Sequence, residues 1–241
     1  MHRRQRTGDN APAMHRCQPT RANPPATIID PLTLPHTGQD PADRLALAPR
    51  LAGTPGQAYV EQRGISLSLA EAAGLRFDAD WGGRAAVIVG VHDSAGRCTS
   101  VHGRYLSTLR GQDKMLTVGP GGGAIAVGAG WHAEPLVLVE GLFDALSLAQ
   151  CGYSAVATIG RWAPWWPAIS AQREVWLGFD GNRPGDEEAA RCALRLPQAR
   201  TRRLLPPARC KDWNTALLKL GRSELAQSLR EQLGRSDTTP A

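Results

Sequence analysis

Leu136-Val137-Leu138-Val139-Glu140-Gly141-Leu142-Phe143-Asp144-Ala145-Leu146 opens with four consecutive apolar residues, two of them β-branched, and then meets an acid and a glycine. A continuous apolar run this short reads as a strand buried on both faces, as in a parallel sheet. After Gly141 the apolar spacing becomes helical over 142–150 and stops before Gly152. The rhythm then repeats. Residues 154–158 and 175–179 are short apolar runs, 187–196 reads as a helix, and 201–205 as a fourth strand. Residues 212–220 and 223–233 have helical patterning. Strands alternating with helices predict βαβ units, and so an α/β fold with a central, mainly parallel sheet flanked by helices.

Two carboxylates stand directly after these runs, Glu140 behind 136–139 and Asp180 behind 175–179. In open parallel sheets, ligands bind beyond the carboxyl ends of the strands, where the winding reverses. Adjacent strands lie about 4.8 Å apart, so acids ending two neighbouring strands converge and repel unless a cation sits between them. Hard oxygen donors of this kind suit Mg²⁺ or Mn²⁺. Either acid taken singly reads rather as a helix cap or turn former; it is the residues around the pair that favour a metal site.

Upstream the chain is patterned differently. Residues 58–63 and 68–73 predict short helices stopped at Gly64 and Gly74, with Ser68 and Glu71 at capping-box spacing. Residues 85–91 and 99–106 predict two strands around Asp93-Ser94-Ala95-Gly96, a hairpin. The stretch 119–130 is glycine-rich but lacks the Gly-Lys-Ser/Thr ending of a phosphate loop, which leaves a turn or inter-domain connection. Residues 1–45 are rich in Pro, Arg, Thr and Asn without apolar periodicity, the composition of a disordered arm. Its Arg3, Arg4, Arg6, Arg16 and Arg21 read as phosphate contacts or as a solvated tail.

Lys and Arg outnumber Asp and Glu by 28 to 22, a formal charge of +6. That suits a polyanionic partner without requiring one. The five cysteines (17, 98, 151, 192, 210) include no C-x-x-C pair, so spacing excludes a structural zinc and leaves reduced thiols of a cytoplasmic protein. No apolar run reaches the ~18 residues of a membrane span, and no apolar segment follows the N-terminal arginines as in a secretory signal. Trp162, Trp165 and Trp166 offer base-stacking surfaces if exposed and core packing if buried; packing is the expectation.

The octapeptide from Val139 to Leu146 resembles the first motif of TOPRIM domains, in which a strand delivers a glutamate followed by glycine. Ala157-Thr158-Ile159-Gly160 resembles the glycine turn after that family's second strand. Phe179-Asp180-Gly181-Asn182-Arg183-Pro184-Gly185, with Ala189-Ala190 behind it, resembles the Asp-x-Asp motif and its helix. Lys211-Asp212-Trp213-Asn214 resembles the Lys-Asp-x-Asn element of primases. Upstream, His102-Gly103-Arg104-Tyr105-Leu106 and Lys114 resemble the Gly-Arg and Lys positions of the basic subdomain preceding TOPRIM in bacterial and phage-type primases. Tyr59 and Arg63-Gly64 resemble the Tyr-Leu-x-x-Arg-Gly opening of mobile-element primases, with Val60 in place of the Leu.

The resemblance implies a DNA primase that makes RNA primers on a template, for a phage, plasmid or integrated element. It implies an arm at 1–45, a basic α+β subdomain at 46–132, a TOPRIM domain at 133–221 and a C-terminal helix and tail at 222–241. It places Glu140, Asp180, Asn182 and Asp144 in catalysis. Mg²⁺ or Mn²⁺ would be held by Glu140, Asp180, Asn182 and Asp186. Arg104, Lys114, Lys211 and Asp212 would face nucleotide and template. The implied partners are single-stranded DNA, ribonucleoside triphosphates and a replicative helicase in trans, with no membrane. Neither a zinc-binding pattern nor a helicase P-loop is expected from the sequence. Asn182 departs from the Asp-x-Asp pattern and removes one negative charge. That keeps two alternatives open: a DNA-binding replication accessory with a vestigial site, and a TOPRIM nuclease. A topoisomerase is disfavoured, because only Tyr59, Tyr105 and Tyr153 could serve it.

Overall fold

The computed structural model describes residues 40–234. The arginines of the arm, Cys17 and the tail beyond 234 lie outside the described residues. Two sheets are built in succession. The first is antiparallel, in the order β1 (Arg76–Trp81), β2 (Arg84–His92), β3 (Cys98–Tyr105), β4 (Met115–Val118). It is preceded by α1 (Pro41–Leu47), α2 (Pro55–Gln62) and α3 (Leu67–Ala72). The second sheet contains β5 (Ile125–Val127), β6 (Leu136–Val139), β7 (Ala155–Ala157), β8 (Glu174–Leu177) and β9 (Arg200–Arg203), in the order β5-β7-β6-β8-β9. All its pairs are parallel except β5 with β7. α4 (Leu142–Gln150), α5 (Trp166–Ser170) and α6 (Arg183–Arg195) connect its strands, and α7 (Trp213–Gly234) follows β9.

The pleat divides the core. Val137, Val139, Ala155, Ala157 and Trp176 face the side covered by α4 and α7, in a cluster with Leu146, Trp213 and Leu217. Their sequence neighbours Leu136, Leu138, Val156, Val175 and Leu177 face the other side, with Ala189 and Cys192 of α6. Both faces of β6 are therefore covered, which is why its sequence does not alternate. Each Leu or Val of this strand stabilises the fold by about 1.5–3 kcal/mol through burial. The first cluster also takes in Val60, Leu75, Phe77, Val87 and Val89, so one core runs from the antiparallel sheet into the parallel one. The strand order reverses at β6, since α4 leads from it to β7 on one side and β8 pairs with it on the other.

Several expectations are corrected. α3 is capped by Ser66, whose hydroxyl accepts from Leu69 N, rather than by Ser68. Glu71 serves Arg50 and the Ala52 amide instead of a capping box. Helix α1 takes in residues expected to belong to the arm. Asp40 caps it, and Arg44 is bonded to Asp78 at 2.8 Å and lies over the Trp81 ring. The glycine-rich stretch holds β5. Ala124 and His92 exchange both backbone hydrogen bonds, at 2.9 and 3.0 Å, and join the two sheets. As the separate helical patterns of 212–220 and 223–233 predict, α7 is broken at Gly221, where φ is 75°. Cys98, Cys151, Cys192 and Cys210 are free thiols. Among the described residues, no helix is long and apolar enough to cross a membrane.

The tryptophans pack. Trp166 is fully buried, and Trp165 donates to the Gly122 carbonyl at 2.7 Å while stacking edge-on with Trp131.

Candidate active site

β6 and β8 are adjacent parallel strands in register, with Leu138 opposite Leu177. Glu140 and Asp180 thus leave the same edge of the sheet, at the point where its winding reverses. Glu140 presents its side chain to solvent. Partial loss of hydration, followed by the charge of Asp180, nonetheless pushes its carboxyl above the ordinary range, with Lys211 opposing. Its backbone carbonyl accepts the Ile159 amide at 2.8 Å. Ile159 is a β-branched residue at φ 49° and Gly160 follows at φ 68°. An isoleucine in the left-handed region is a genuine outlier, and such strain gathers at functional sites. This turn after β7 is thereby tied to the strand end that carries Glu140.

Asp180 is held by its surroundings on every side. Arg203 donates to the carbonyls of Leu177, Phe179 and Asp180, at 2.9, 2.9 and 2.6 Å. Gly185 lies so close that a Cβ there would stand 2.1 Å from the Asp180 carbonyl oxygen, which explains the glycine of that motif. The Asp180 carboxylate accepts Lys211 Nζ at 3.0 Å and, on the same oxygen, Asn182 Nδ2 at 3.4 Å. That contact is the main reason the Lys211 ammonium is pushed above its usual value.

The other polar side chains of the motifs have further partners. Asn182 caps α6, its Oδ1 accepting from Gly185 N at 2.9 Å. Asp186 Oδ1 accepts Arg203 Nη2 and Nε at 2.9 and 3.1 Å. Asp212 caps the first turn of α7, accepting from Thr215 N at 2.7 Å. Asp144 Oδ1 accepts from Trp213 N and Asn214 N. Desolvation, then the charges of Asp212 and Asp180, push the Asp144 carboxyl up to about 7.

The basic residues lie on and beside the antiparallel sheet and at the C-terminal end of α2. Arg104 of β3 donates to the Tyr59 hydroxyl at 3.3 Å, and Arg63 donates to the same oxygen at 3.2 Å. Arg63 also donates to Asn214 Oδ1 at 3.0 Å, and Asn214 returns a bond to the Arg63 carbonyl at 2.8 Å. The arginine of the upstream motif, itself bonded to that motif's tyrosine, is therefore bonded to the asparagine of the last one. Beside Arg104, His102 is buried and bonded to Thr117 Oγ1 at 2.8 Å; burial, then Arg104 and Arg161, bring its imidazole down to about 4. Lys114 is exposed at the head of β4. Gly103 is required because a Cβ would fall 2.1 Å from the Trp81 indole nitrogen.

Sequence reasoning did not single out Arg203 or Arg161. Arg203 sits in a strand with three other polar residues, and most of its partners are backbone carbonyls, which no side-chain pattern encodes. Among the described residues, no three His, Cys, Asp or Glu side chains form a ready cage for a metal. The donors that remain open are the Glu140 carboxylate and one Asp180 oxygen. This pair fits Mg²⁺, which one or two carboxylates hold while water and phosphate fill its other positions.

Residues 137–217 match the family model described as Toprim-like. No curated protein matches the chain. Among solved structures, the E. coli primase catalytic core is 24% identical, with a TM-score of 0.54 over 74% of this chain and 72% of that one. A DnaG primase catalytic domain bound to single-stranded DNA is 21% identical, with a TM-score of 0.57 over 79% and 77%. The Aquifex aeolicus primase, with its zinc-binding and RNA polymerase domains, is 16% identical, with a TM-score of 0.58; 81% of this chain covers 63% of it. The fold is that of a primase catalytic core. Glu140 and Asp180 stand at strand ends within the residues that match the Toprim-like model.

Proposed function

We propose that the chain is a primase-type nucleotidyltransferase, joining ribonucleotides on a single-stranded DNA template with Mg²⁺ or Mn²⁺. The observation that carries this reading is the placement of Glu140 and Asp180 on adjacent parallel strands at the reversal of the sheet, in a fold shared with primase cores. A divalent ion held by these two carboxylates would neutralise charge on the phosphoryl oxygens and orient the attacking hydroxyl. Arg104 and Lys114 present positive charge for triphosphate or template phosphate. Lys211 offsets the charge of Asp180. Asp144 and Asp212 hold the start of α7 in place beside the two carboxylates. The partners of this reading are single-stranded DNA, ribonucleoside triphosphates and a helicase acting from another chain.

One observation favours a second reading. Asn182 spends its oxygen on the α6 cap and Lys211 already neutralises Asp180, an arrangement that also suits a DNA-binding replication accessory with a vestigial site. Incubation with single-stranded DNA, labelled ribonucleotides and Mg²⁺ or Mn²⁺ separates the two. Primer synthesis lowered at least ~100-fold by Glu140→Ala and by Asp180→Ala supports the enzyme, on the scale of losing a transition-state charge stabiliser. Salt-sensitive DNA binding without synthesis supports the accessory. Cleavage of the DNA would point to a nuclease.

A further inference from the structure

Asp180 meets two donors on one oxygen, the Lys211 ammonium at 3.0 Å and the Asn182 amide at 3.4 Å. Its other carboxylate oxygen, like both oxygens of Glu140, accepts no hydrogen bond among the described residues. The root of Lys211 is fixed. Gly181 N donates to the Lys211 carbonyl at 2.6 Å, and the next residue, Asp212, caps α7. The end of the side chain is not fixed, since 65% of it is exposed. A lysine anchored at its base and hydrated at its tip is a point charge on a tether.

Of the side chains open to a metal here, Glu140 and Asp180 contribute two negative charges, and Lys211 offsets one of them. The charges of Asp212 and Glu188 also reach Glu140, but Asp212 turns an oxygen to the α7 cap. An aspartate at position 182 would add one more negative charge beside Asp180. Asn182 adds no charge and aims its NH₂ group, not its oxygen, at Asp180. Asp186 is committed to Arg203. A pair of divalent ions bound close together needs more anionic oxygen than this.

We propose that Lys211 is a resident cation of the site. Its ammonium at Asp180 takes the place of a second divalent ion and leaves a one-ion site formed by Glu140 and the free Asp180 oxygen. This rests on the reading of Glu140 and Asp180 as metal ligands. Lys211 is a positioning residue, acting through Asp180. Loss of its charge opens the second Asp180 oxygen to metal.

The test is Mn²⁺ binding to the full chain, without DNA or nucleotide, followed by the paramagnetic resonance of free Mn²⁺ and by calorimetry. Wild type is expected to bind one Mn²⁺. Lys211→Met is expected to bind Mn²⁺ about tenfold tighter, or to take up a second ion, the scale expected from removing a competing unit charge near the surface. Asn182→Asp, which caps a helix as well as asparagine does, should shift binding the same way. If Lys211→Met fails to fold, Lys211→Gln keeps a donor and removes the charge. Two ions on wild type, or unchanged affinity and stoichiometry in the lysine variants, would overturn the proposal while leaving the Glu140–Asp180 metal reading intact. No Mn²⁺ on wild type or any variant would overturn both, and the primer-synthesis assay then reports on the enzyme separately.

Discussion

Asp144 Oδ1 accepts the backbone amide of Trp213 at 3.0 Å, holding the first turn of α7 against the first turn of α4. The carboxyl pays for this position with its acidity. Burial and the nearby Asp212 and Asp180 raise it from 3.8 to about 7. The folded chain thus holds this proton more tightly than the unfolded chain. The resulting stability is fully present below about pH 4 and is lost as pH rises through about 7. Asp144→Asn keeps an acceptor for both amides and removes the charge. In EDTA at pH 8 the variant should be more stable than wild type by on the order of 1 kcal/mol, and the gap should close toward pH 5. Urea titrations at both pH values measure this, and a constant gap would contradict it.

Arg203 serves the backbone carbonyls around Asp180 and the Asp186 carboxylate at once. Arg203→Met should cost about 2–3 kcal/mol, because buried acceptors lose a charged donor. Lysine cannot reproduce the fork of donors, so Arg203→Lys should recover less than half of that loss. Full recovery by lysine in denaturant titration would show that only the charge matters.

Asn182 carries a structural duty that separates cleanly from chemistry. Asn182→Ala should lose about 1 kcal/mol of stability through the α6 cap, and Asn182→Asp should stay within about 0.5 kcal/mol of wild type. Thermal melting without divalent ions reads this directly. A stable alanine variant would mean that the cap is not used.

Arg104 and Lys114 should each account for one unit of the salt dependence of DNA binding. Replacing either with alanine should reduce the slope of log affinity against log salt by about 0.7 for single-stranded DNA, uniformly across sequences. Fluorescence anisotropy between low and moderate salt tests it. An unchanged slope would place that residue off the nucleic-acid path.

The parallel half of the fold was legible because its signals are local. The apolar run 136–139 is β6, and the helical spacing of 142–150 is α4, at the residues expected. β1, β4 and β5 were not legible. β5 is three residues long between glycines and gains its ladder from β7, with Ala124 bridging to His92 just before it. β4 is a half-exposed edge with no alternation. At the site, the emergence of Glu140 and Asp180 from apolar runs could be read directly. What occupies Asn182, Asp186 and Asp144 could not, because their partners Gly185, Arg203 and Trp213 are backbone groups or a distant guanidinium.

The two backbone bonds between His92 and Ala124 carry one more consequence. They lie on the short path joining the β-sheet that bears Arg104 to the one that bears Glu140, and a continuous core lies beneath them. A hinge there would have to break both bonds and open that core together. The amides of His92 and Ala124 should therefore exchange with deuterium as slowly as those of the central strands. The cationic and anionic walls then keep a set spacing, and under the proposed primase reading it is the DNA and the incoming nucleotide that must move between them.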